Sequence, residues 1–205
     1  MAIERERRTV AGVVLAAGTS RRMGHNKLFV SVHGESLLRR AVRTALAAGL
    51  KPVLVVLGHE SSRAQAELAG LDCTPVLNPE YAQGINTSLR KGIGAVPPDA
   101  AGALVMLGDM PFVTEDMLRT VLGRYLSSTS PLVVSNYDGV EAPPMLYDQS
   151  LFSELGALDG DGCGKRVVKR HRNQCLEVAW PASALRDMDV PADVDAVLAE
   201  LEGGA

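Results

Sequence analysis

Short β-branched runs alternate with longer amphipathic stretches as far as residue 135. Four runs are almost continuously apolar, as expected of strands buried on both faces: Val10–Ala17, Pro52–Gly58, Ala103–Leu107 and Leu132–Ser135. The intervening stretches have apolar residues at helical spacing: Ser36–Ala48, Ser61–Leu68, Asn86–Ile93 and Glu115–Leu126. Strand and helix in alternation predict parallel βαβ units. The sequence therefore predicts an α/β fold in three layers (α/β/α), with a mostly parallel, Rossmann-like sheet in the middle.

The rest of the chain is less regular. Residues 137–144 are rich in turn formers, and residues 156–164 contain four glycines and two aspartates. Pro191–Leu201 predicts a closing helix that begins with proline in its first turn. We interpret residues 136–190 as strands and loops that complete a ligand site, and residues 1–8 as a disordered tail. All of this belongs to one domain spanning residues 1–205.

Composition excludes several classes of protein. Lysine and arginine (21) are outnumbered by aspartate and glutamate (24), and aromatics make up 4%, which disfavours a nucleic-acid partner. The three cysteines form no C-x-x-C pair and the four histidines no metal-ligand cluster, which disfavours disulfide scaffolds and zinc sites. The charged N-terminus is followed by no secretory core, and no apolar run approaches the ~18 residues of a membrane span. We therefore expect a cytoplasmic protein with no membrane partner.

The loop after the first strand is the most informative segment. It combines Gly18 and Gly24 with three cations, Arg21, Arg22 and Lys27, and no acidic residue occurs between Glu6 and Glu35. Loops at the carboxyl ends of parallel strands bind ligands, and glycines with nearby cations suit phosphates. The loop matches neither the P-loop nor the dinucleotide fingerprint. It predicts a small anionic ligand, and the alternative is a solvated turn with incidental arginines.

Residues 15–27 read L-A-A-G-x-S-x-R-M-G-x-x-K. This resembles the signature loop of the nucleotidyltransferases that build molybdenum-cofactor dinucleotides. Related loops of sugar-nucleotide pyrophosphorylases and methylerythritol cytidylyltransferases usually have proline before the lysine, where this chain has Asn26. The alanine at position 17 is similar to the loop of cytidylyltransferases, since guanylyltransferases tend to have glycine at this position. The resemblance implies that a nucleotide is bound by Leu15, Ala16, Ala17, Gly18, Ser20, Arg21, Arg22, Gly24 and Lys27.

Two aspartates are candidate Mg²⁺ ligands. Asp109 follows the predicted strand Ala103–Leu107, and Mg²⁺ is usually held by one or two carboxylates together with phosphates. The alternative for Asp109 is a cap or turn before Pro111. The family has a metal-binding Asp-x-Pro at this place. Residues 185–193 resemble its L-x-D-I-D-T-P-E-D element, which implies Asp189 as a second ligand, with Asp187 as the competing candidate.

Two further segments resemble the family. Residues 78–92 look like its segment beside the base and acceptor, which implies that Asn78, Gly84 and Ser88 contact nucleotide; helix capping is the alternative for Ser88. Residues 158–168 resemble L-x-G-D-x-G-A-[RK], which implies an acceptor site at Asp161, Gly162 and Lys165. The alternative for Lys165 is an exposed helix charge.

One segment departs from the family. Cytidylyltransferases of this type often have R-G-H-P before an apolar strand. Residues 139–147 keep the proline and the apolar strand but have residues such as Glu141 and Ala142 in place of the arginine and histidine. These positions belong to the acceptor side of the site, so the prediction of a nucleotide substrate is better supported than the prediction of a pterin acceptor.

The resemblance implies transfer of CMP from CTP to the phosphate of molybdopterin or the molybdenum cofactor, with release of pyrophosphate. The resemblance also implies that a molybdoenzyme receives the product. Lys27, Arg22 and Asp109 are the expected catalytic residues. A phosphate monoester is already anionic near neutral pH, so alignment and charge stabilisation suffice without a general base. Three alternatives stay open: a GTP-dependent guanylyltransferase, a nucleotidyltransferase for another small phosphate, and a non-catalytic module that delivers finished cofactor.

Overall fold

The structure, a computed structural model, describes residues 9–20 and 26–186. Its main sheet is formed by seven strands: β1 (Val10–Ala16), β4 (Val53–Leu57), β5 (Thr74–Leu77), β6 (Gly102–Leu107), β7 (Leu132–Tyr137), β8 (Val140–Asp148) and β9 (Cys175–Trp180). The strand order is β5-β4-β1-β6-β8-β7-β9, and every pairing is parallel except those of β8. Strands β2 (Ser31–Val32) and β3 (Glu35–Ser36) form a small separate hairpin.

The helices are α1 (Leu37–Ala47), α2 (Ser61–Glu67), α3 (Ile85–Gly94), α4 (Glu115–Leu126), α5 (Phe152–Gly156) and α6 (Lys165–Arg170). Single 3-10 turns occur at Lys27–Phe29, Tyr81–Gln83, Gln149–Leu151, Arg172–Gln174 and Ala182–Leu185. The four strands and four helices predicted before residue 136 are confirmed to within two residues at each end. The predicted tail and the closing helix Pro191–Leu201 lie outside the described residues.

Side chains at the helix ends explain these boundaries. The Ser36 hydroxyl accepts a hydrogen bond from the Arg39 amide and caps α1. Gly49, at φ +82°, follows the last turn of that helix and ends it in the left-handed conformation that glycine favours. The Thr114 hydroxyl caps α4 in the same way as Ser36 caps α1, by accepting from the Met117 amide.

The sheet separates two hydrophobic cores. Val14 of β1 points into one of them, together with residues of α1 and α4, while its neighbour Val13 points into the other, with residues of α3 and α6. This confirms the three-layer α/β/α architecture. Helix α3 lies very close to the sheet. A Cβ added to its Gly92 would come within 2.4 Å of the Val13 side chain, so the helix can approach this closely because it has glycine there. The close contact fixes α3 against β1.

Strand β8 was not predicted over its full length, because residues 137–144 contain turn formers. Pro143 and Pro144 lie where the pairing with β7 shifts register, so neither has a ladder partner on that strand. Their carbonyls accept hydrogen bonds from the Tyr137 hydroxyl (2.9 Å) and the Ser135 hydroxyl (2.7 Å). The bulge therefore admits two prolines into an interior strand, and the β7–β8 turn lies at the edge where the parallel strands end.

Candidate functional site

A cavity of about 300 Å³ opens at the carboxyl ends of β1 and β6. Seven residues predicted for the site line it: Leu15, Ala17, Gly18, Gly84, Ser88, Asp109 and Asp161. Five lining residues were not predicted: Thr19, Tyr81, Ala82, Ile85 and Leu107. The fold thus brings together the segments around residues 15, 84, 109 and 161. Among the missed residues, Tyr81 had a signal in the sequence, since it lies between Asn78 and Gly84 in the segment that resembles the family.

Lys27 and Asp109 form an ion pair beside this cavity. The ammonium nitrogen lies 2.7 Å from Asp109 Oδ2, and the side chains are 12% and 21% exposed. Asp109 follows directly from the end of β6, while Lys27 begins the 3-10 turn after the first loop. A cation and a carboxylate meet here, which is the combination of groups that a metal-bound triphosphate requires.

Asn26 holds Lys27 in position. Its Oδ1 accepts hydrogen bonds from the Leu28 amide (3.2 Å) and the Ser20 hydroxyl (3.3 Å), and the Lys27 amide donates to Ser20 Oγ (3.1 Å). These bonds join the two ends of the first loop, of which residues 21–25 are not described. Asn26 therefore has a structural role at the position where related loops have proline, and this role could not be seen in the sequence. The predicted contacts of Arg21, Arg22 and Gly24 lie outside the described residues.

Asn78 lies behind the cavity wall. It is 1% exposed, and its Nδ2 donates to the hydroxyls of Thr87 and Ser88, both at 2.9 Å, while Oδ1 accepts from the Glu80 amide. Ser88 lines the cavity, and a hydroxyl that accepts from Asn78 can still donate its hydrogen to a ligand there. Ser88 does not cap α3, since Gly84 occupies the N-cap position. Direct contact of Asn78 with a nucleotide stays a prediction, and this geometry favours an indirect role through Ser88.

The loop of residues 159–164, called the 159–164 loop below, forms the opposite wall. Asp161 Oδ1 accepts from the Ile85 amide (3.3 Å), so its carboxylate lies at the N-terminus of α3, where the helix dipole stabilises negative charge. A carboxylate repels phosphate but accepts from hydroxyl and amino groups. The Asp161 side chain therefore suits a hydrogen-bond donor of a ligand better than the anionic group expected from the sequence.

Lys165 lies on the other side of this loop. It lines a second, open groove of about 560 Å³ together with Asn136, Gly139, Val140, Glu141, Val168, Lys169 and Arg172. In this groove the Arg172 guanidinium pairs with Glu141 and, at 2.7 Å, with Glu177. Gly162, at φ +115°, lies between Asp161 and Lys165 in the loop. The three residues predicted for the acceptor are thus brought together, but the two charged ones face different spaces.

Cys163 is a neutral neighbour of these charges. Burial raises the pKa of its thiol to about 12, a rise that the charge of Lys165 reduces and that of Asp109 increases. The thiol stays protonated near neutral pH and is a poor nucleophile there. The chemistry of the site is therefore left to its charged groups and hydrogen-bond donors.

The residues present fit a divalent cation bound jointly with phosphate. Within residues 9–20 and 26–186, no three histidine, cysteine, aspartate or glutamate side chains are grouped so as to hold a metal. Asp109 offers one hard carboxylate oxygen site at the cavity, which is the usual protein share of an Mg²⁺ site that also takes substrate phosphates. The predicted second ligand Asp189, and its competitor Asp187, lie outside the described residues.

Residues 12–175 match the model of the MobA-like NTP transferase domain. The chain belongs to this family. It is 30% identical to the purine catabolism protein PucB of Bacillus subtilis, covering 91% of this chain and 94% of that protein. It is also 30% identical to the nicotine blue oxidoreductase of Paenarthrobacter nicotinovorans (80% and 82%) and to a probable molybdenum cofactor guanylyltransferase of Opitutus terrae (67% and 66%).

A solved structure with the same fold is that of Rv0371c from Mycobacterium tuberculosis. It superposes with a TM-score of 0.82 at 28% identity and covers 93% of this chain and 98% of that one. A second structure of Rv0371c is a complex with manganese, with a TM-score of 0.78 at 27% identity, again covering 93% and 98%. Membership of this family makes a nucleoside triphosphate the substrate and nucleotidyl transfer the reaction class. In the described part of the chain, every helix is too short or too polar to cross a membrane.

Proposed function

We propose that the protein transfers CMP from CTP to the phosphate of molybdopterin and releases pyrophosphate. The observation that carries this proposal is the Lys27–Asp109 pair, 2.7 Å apart, beside a cavity bordered by Gly18 and the first turn of α3. A triphosphate needs a cation, a metal-binding carboxylate and backbone amides; the Lys27–Asp109 pair offers the first two, and the glycine loop at Gly18 is suited to offer the third.

In the proposed reaction, a phosphate oxygen of the acceptor forms a bond to the α-phosphorus of CTP. The bond from that phosphorus to the bridging oxygen breaks, and pyrophosphate leaves with the electron pair. Lys27 and Arg22 bind phosphate oxygens and align the α-phosphorus, while the Ser88 hydroxyl donates a hydrogen bond to nucleotide. Asp109, with Asp189, would hold Mg²⁺, which when bound neutralises the charge that develops on the leaving group.

The choice of CTP is supported by Ala17. This residue is 5% exposed and lines the cavity, so its methyl group takes up space that a glycine would leave open. A cavity of about 300 Å³ that is narrowed in this way favours the cytosine ring over the larger guanine ring. GTP is the second candidate, because the relative from Opitutus terrae is named a guanylyltransferase.

The acceptor side is supported by the groove that contains Lys165. Lys169 and Arg172 line it as well, so it suits the remainder of an anionic acceptor whose phosphate reacts at Asp109. Glu141, which stands in the segment where cytidylyltransferases often have arginine and histidine, offers this acceptor a carboxylate. Another small phosphate acceptor is the alternative that this difference keeps open.

The test starts from nucleotide binding. Thermal shifts with CTP, GTP, UTP and ATP, each with and without Mg²⁺, report which nucleotide stabilises the native chain. Pyrophosphate release is then measured with molybdopterin as acceptor and Asp109→Asn as the inactive control. Release that needs CTP and acceptor together supports the proposal. Release with GTP favours the second candidate, whereas stabilisation without release indicates a delivery module. No stabilisation by any nucleotide would contradict the proposal.

A further inference from the structure

One buried asparagine joins the start of α3 to the 159–164 loop. Asn86 is 1% exposed, and its Nδ2 donates to the carbonyls of Asp159 (2.9 Å) and Asp161 (3.0 Å). Its Oδ1 accepts from the Gly164 amide at 3.2 Å. A single side chain thus contacts the beginning, the middle and the end of a loop that lies more than 70 residues away in sequence.

The backbone of this loop has little preference of its own for the shape it adopts. Gly160, Gly162, Cys163 and Gly164 have φ values of +68°, +115°, +44° and +81°. Glycine reaches such angles at no steric cost but loses much conformational freedom when fixed there, and a cysteine is strained at them. Outside contacts therefore have to hold the loop in place.

Several of these contacts come from α3. The Asn86 amide donates to the Gly160 carbonyl at 3.0 Å, and Arg90 pairs with the exposed Asp159 at 3.0 Å. Exposed ion pairs of this kind contribute little, whereas buried hydrogen bonds to backbone groups contribute more. The Asn86 side chain is therefore the main determinant of where the loop lies.

The loop separates the cavity from the groove. Asp161 lines the cavity, and Lys165, directly after the loop, lines the groove. We propose that Asn86 is a positioning residue for the phosphate acceptor, acting through the 159–164 loop. This inference rests on the proposed function for its acceptor, but the placement of the loop by Asn86 can be tested without turnover.

Asn78 provides a matched control. It is also 1% exposed and its side chain also makes three hydrogen bonds, but these go to Thr87, Ser88 and the Glu80 amide on the nucleotide side. Asn78→Ala and Asn86→Ala should therefore cost similar stability. If Asn86 acts only on stability, Asn86→Ala will leave the KM values for molybdopterin and CTP unchanged or change them equally. If Asn86 positions the acceptor, Asn86→Ala will raise KM for molybdopterin and Asn78→Ala will raise KM for CTP.

The kinetic experiment measures KM for molybdopterin and for CTP in both variants, using the base that the wild type accepts. We expect Asn86→Ala to raise KM for molybdopterin about tenfold and KM for CTP less than about threefold, the scale of one or two lost hydrogen bonds. Asn78→Ala should show the reverse. Equal changes in both constants for both variants, or a rise in KM for CTP alone in Asn86→Ala, would overturn the proposal.

Hydrogen exchange gives the readout that does not depend on function. The Gly164 amide should exchange about tenfold faster in Asn86→Ala, which removes its acceptor, and at the wild-type rate in Asn78→Ala. Asn86→Asp keeps that acceptor but turns a carboxylate toward two carbonyls; it should protect Gly164 and still raise KM for molybdopterin. If Asn86→Ala does not fold, Asn86→Asp still tests the effect of Asn86 on KM for molybdopterin. Unchanged exchange in Asn86→Ala would refute the placement of the loop, even if the wild type releases no pyrophosphate and the proposed function fails.

Discussion

Replacing Gly84 by alanine tests the contact between α3 and the 159–164 loop most directly. A Cβ at this position would lie 2.5 Å from the Gly160 carbonyl oxygen and 2.7 Å from its carbon. The loop would have to retreat by about 0.9 Å to restore an ordinary 3.4 Å contact. Gly84 also has φ +115° and ψ 159°, a conformation close to exclusive to glycine that costs other residues ~1–3 kcal/mol.

The retreat would weaken the hydrogen bonds that the Ile85 and Asn86 amides make to the loop, each of which contributes ~0.5–1.5 kcal/mol. We therefore expect Gly84→Ala to lower the free energy of unfolding by about 2–4 kcal/mol. For a chain of this size, that loss corresponds to a fall in Tm of roughly 5–15 °C. The site should lose activity as well, because Asp161 moves with the loop.

Thermal unfolding measures this effect, and Gly94→Ala is the matched control. Gly94 ends the same helix, is exposed, and has nothing within 4 Å of an added Cβ. Its replacement should leave the free energy of unfolding within ~1 kcal/mol of wild type. A Gly84→Ala variant that melts within about 2 °C of wild type, or no lower than Gly94→Ala, would refute the argument.

Three further predictions concern charged groups. Lys27→Ala should lower the rate of pyrophosphate release ~100-fold, the scale of one electrostatic donor, with Lys51→Ala, at an exposed lysine, as a surface control; turnover within a few-fold of wild type would remove Lys27 from the chemistry. Lys27→Gln should tighten Mn²⁺ binding in the absence of nucleotide up to about fivefold, because the lysine no longer competes for Asp109, and calorimetric titration measures this. An unchanged affinity would mean that Asp109 does not bind the metal. A hydrogen bond from His171 lowers the pKa of Glu154, so this carboxylate stabilises the fold above its ordinary pKa of about 4.3 and loses that effect as the pH falls. Thermal melts should place Glu154→Gln slightly below wild type at pH 7, and the difference should shrink as the pH falls below about 4.3; a difference that grows in acid would contradict the sign.

The buried elements of the first half were predictable because their patterns are local. The strand that ends at Leu107 and the Ser36 cap of α1 are each specified within a few residues. β5 was missed because it is a four-residue edge strand, largely exposed and containing Pro75. The start of β8 was missed because its two prolines fit only at a bulge that depends on the pairing of another strand.

Within the site, the sequence indicated which groups have the right chemistry but not which space each one faces. Asp161 and Lys165 are four residues apart and look like one cluster, yet the loop between them turns one into the cavity and the other into the groove. The supporting residues were harder still. No pattern near Asn86 in the sequence predicts its hydrogen bond with Gly164, since the two residues come into contact only after the chain between them has folded.

The reversed direction of β8 has a consequence for how such a fold diversifies. The loop that follows β6 leads into α4, so a change in its length would shift that helix against the core. β7 and β8, in contrast, are joined by the two-residue turn Asp138–Gly139 at the rim of the groove, and surface turns accept insertions at small thermodynamic cost. Under the proposed function, a change in this hairpin would therefore alter which acceptor is modified and leave the nucleotide site as it is.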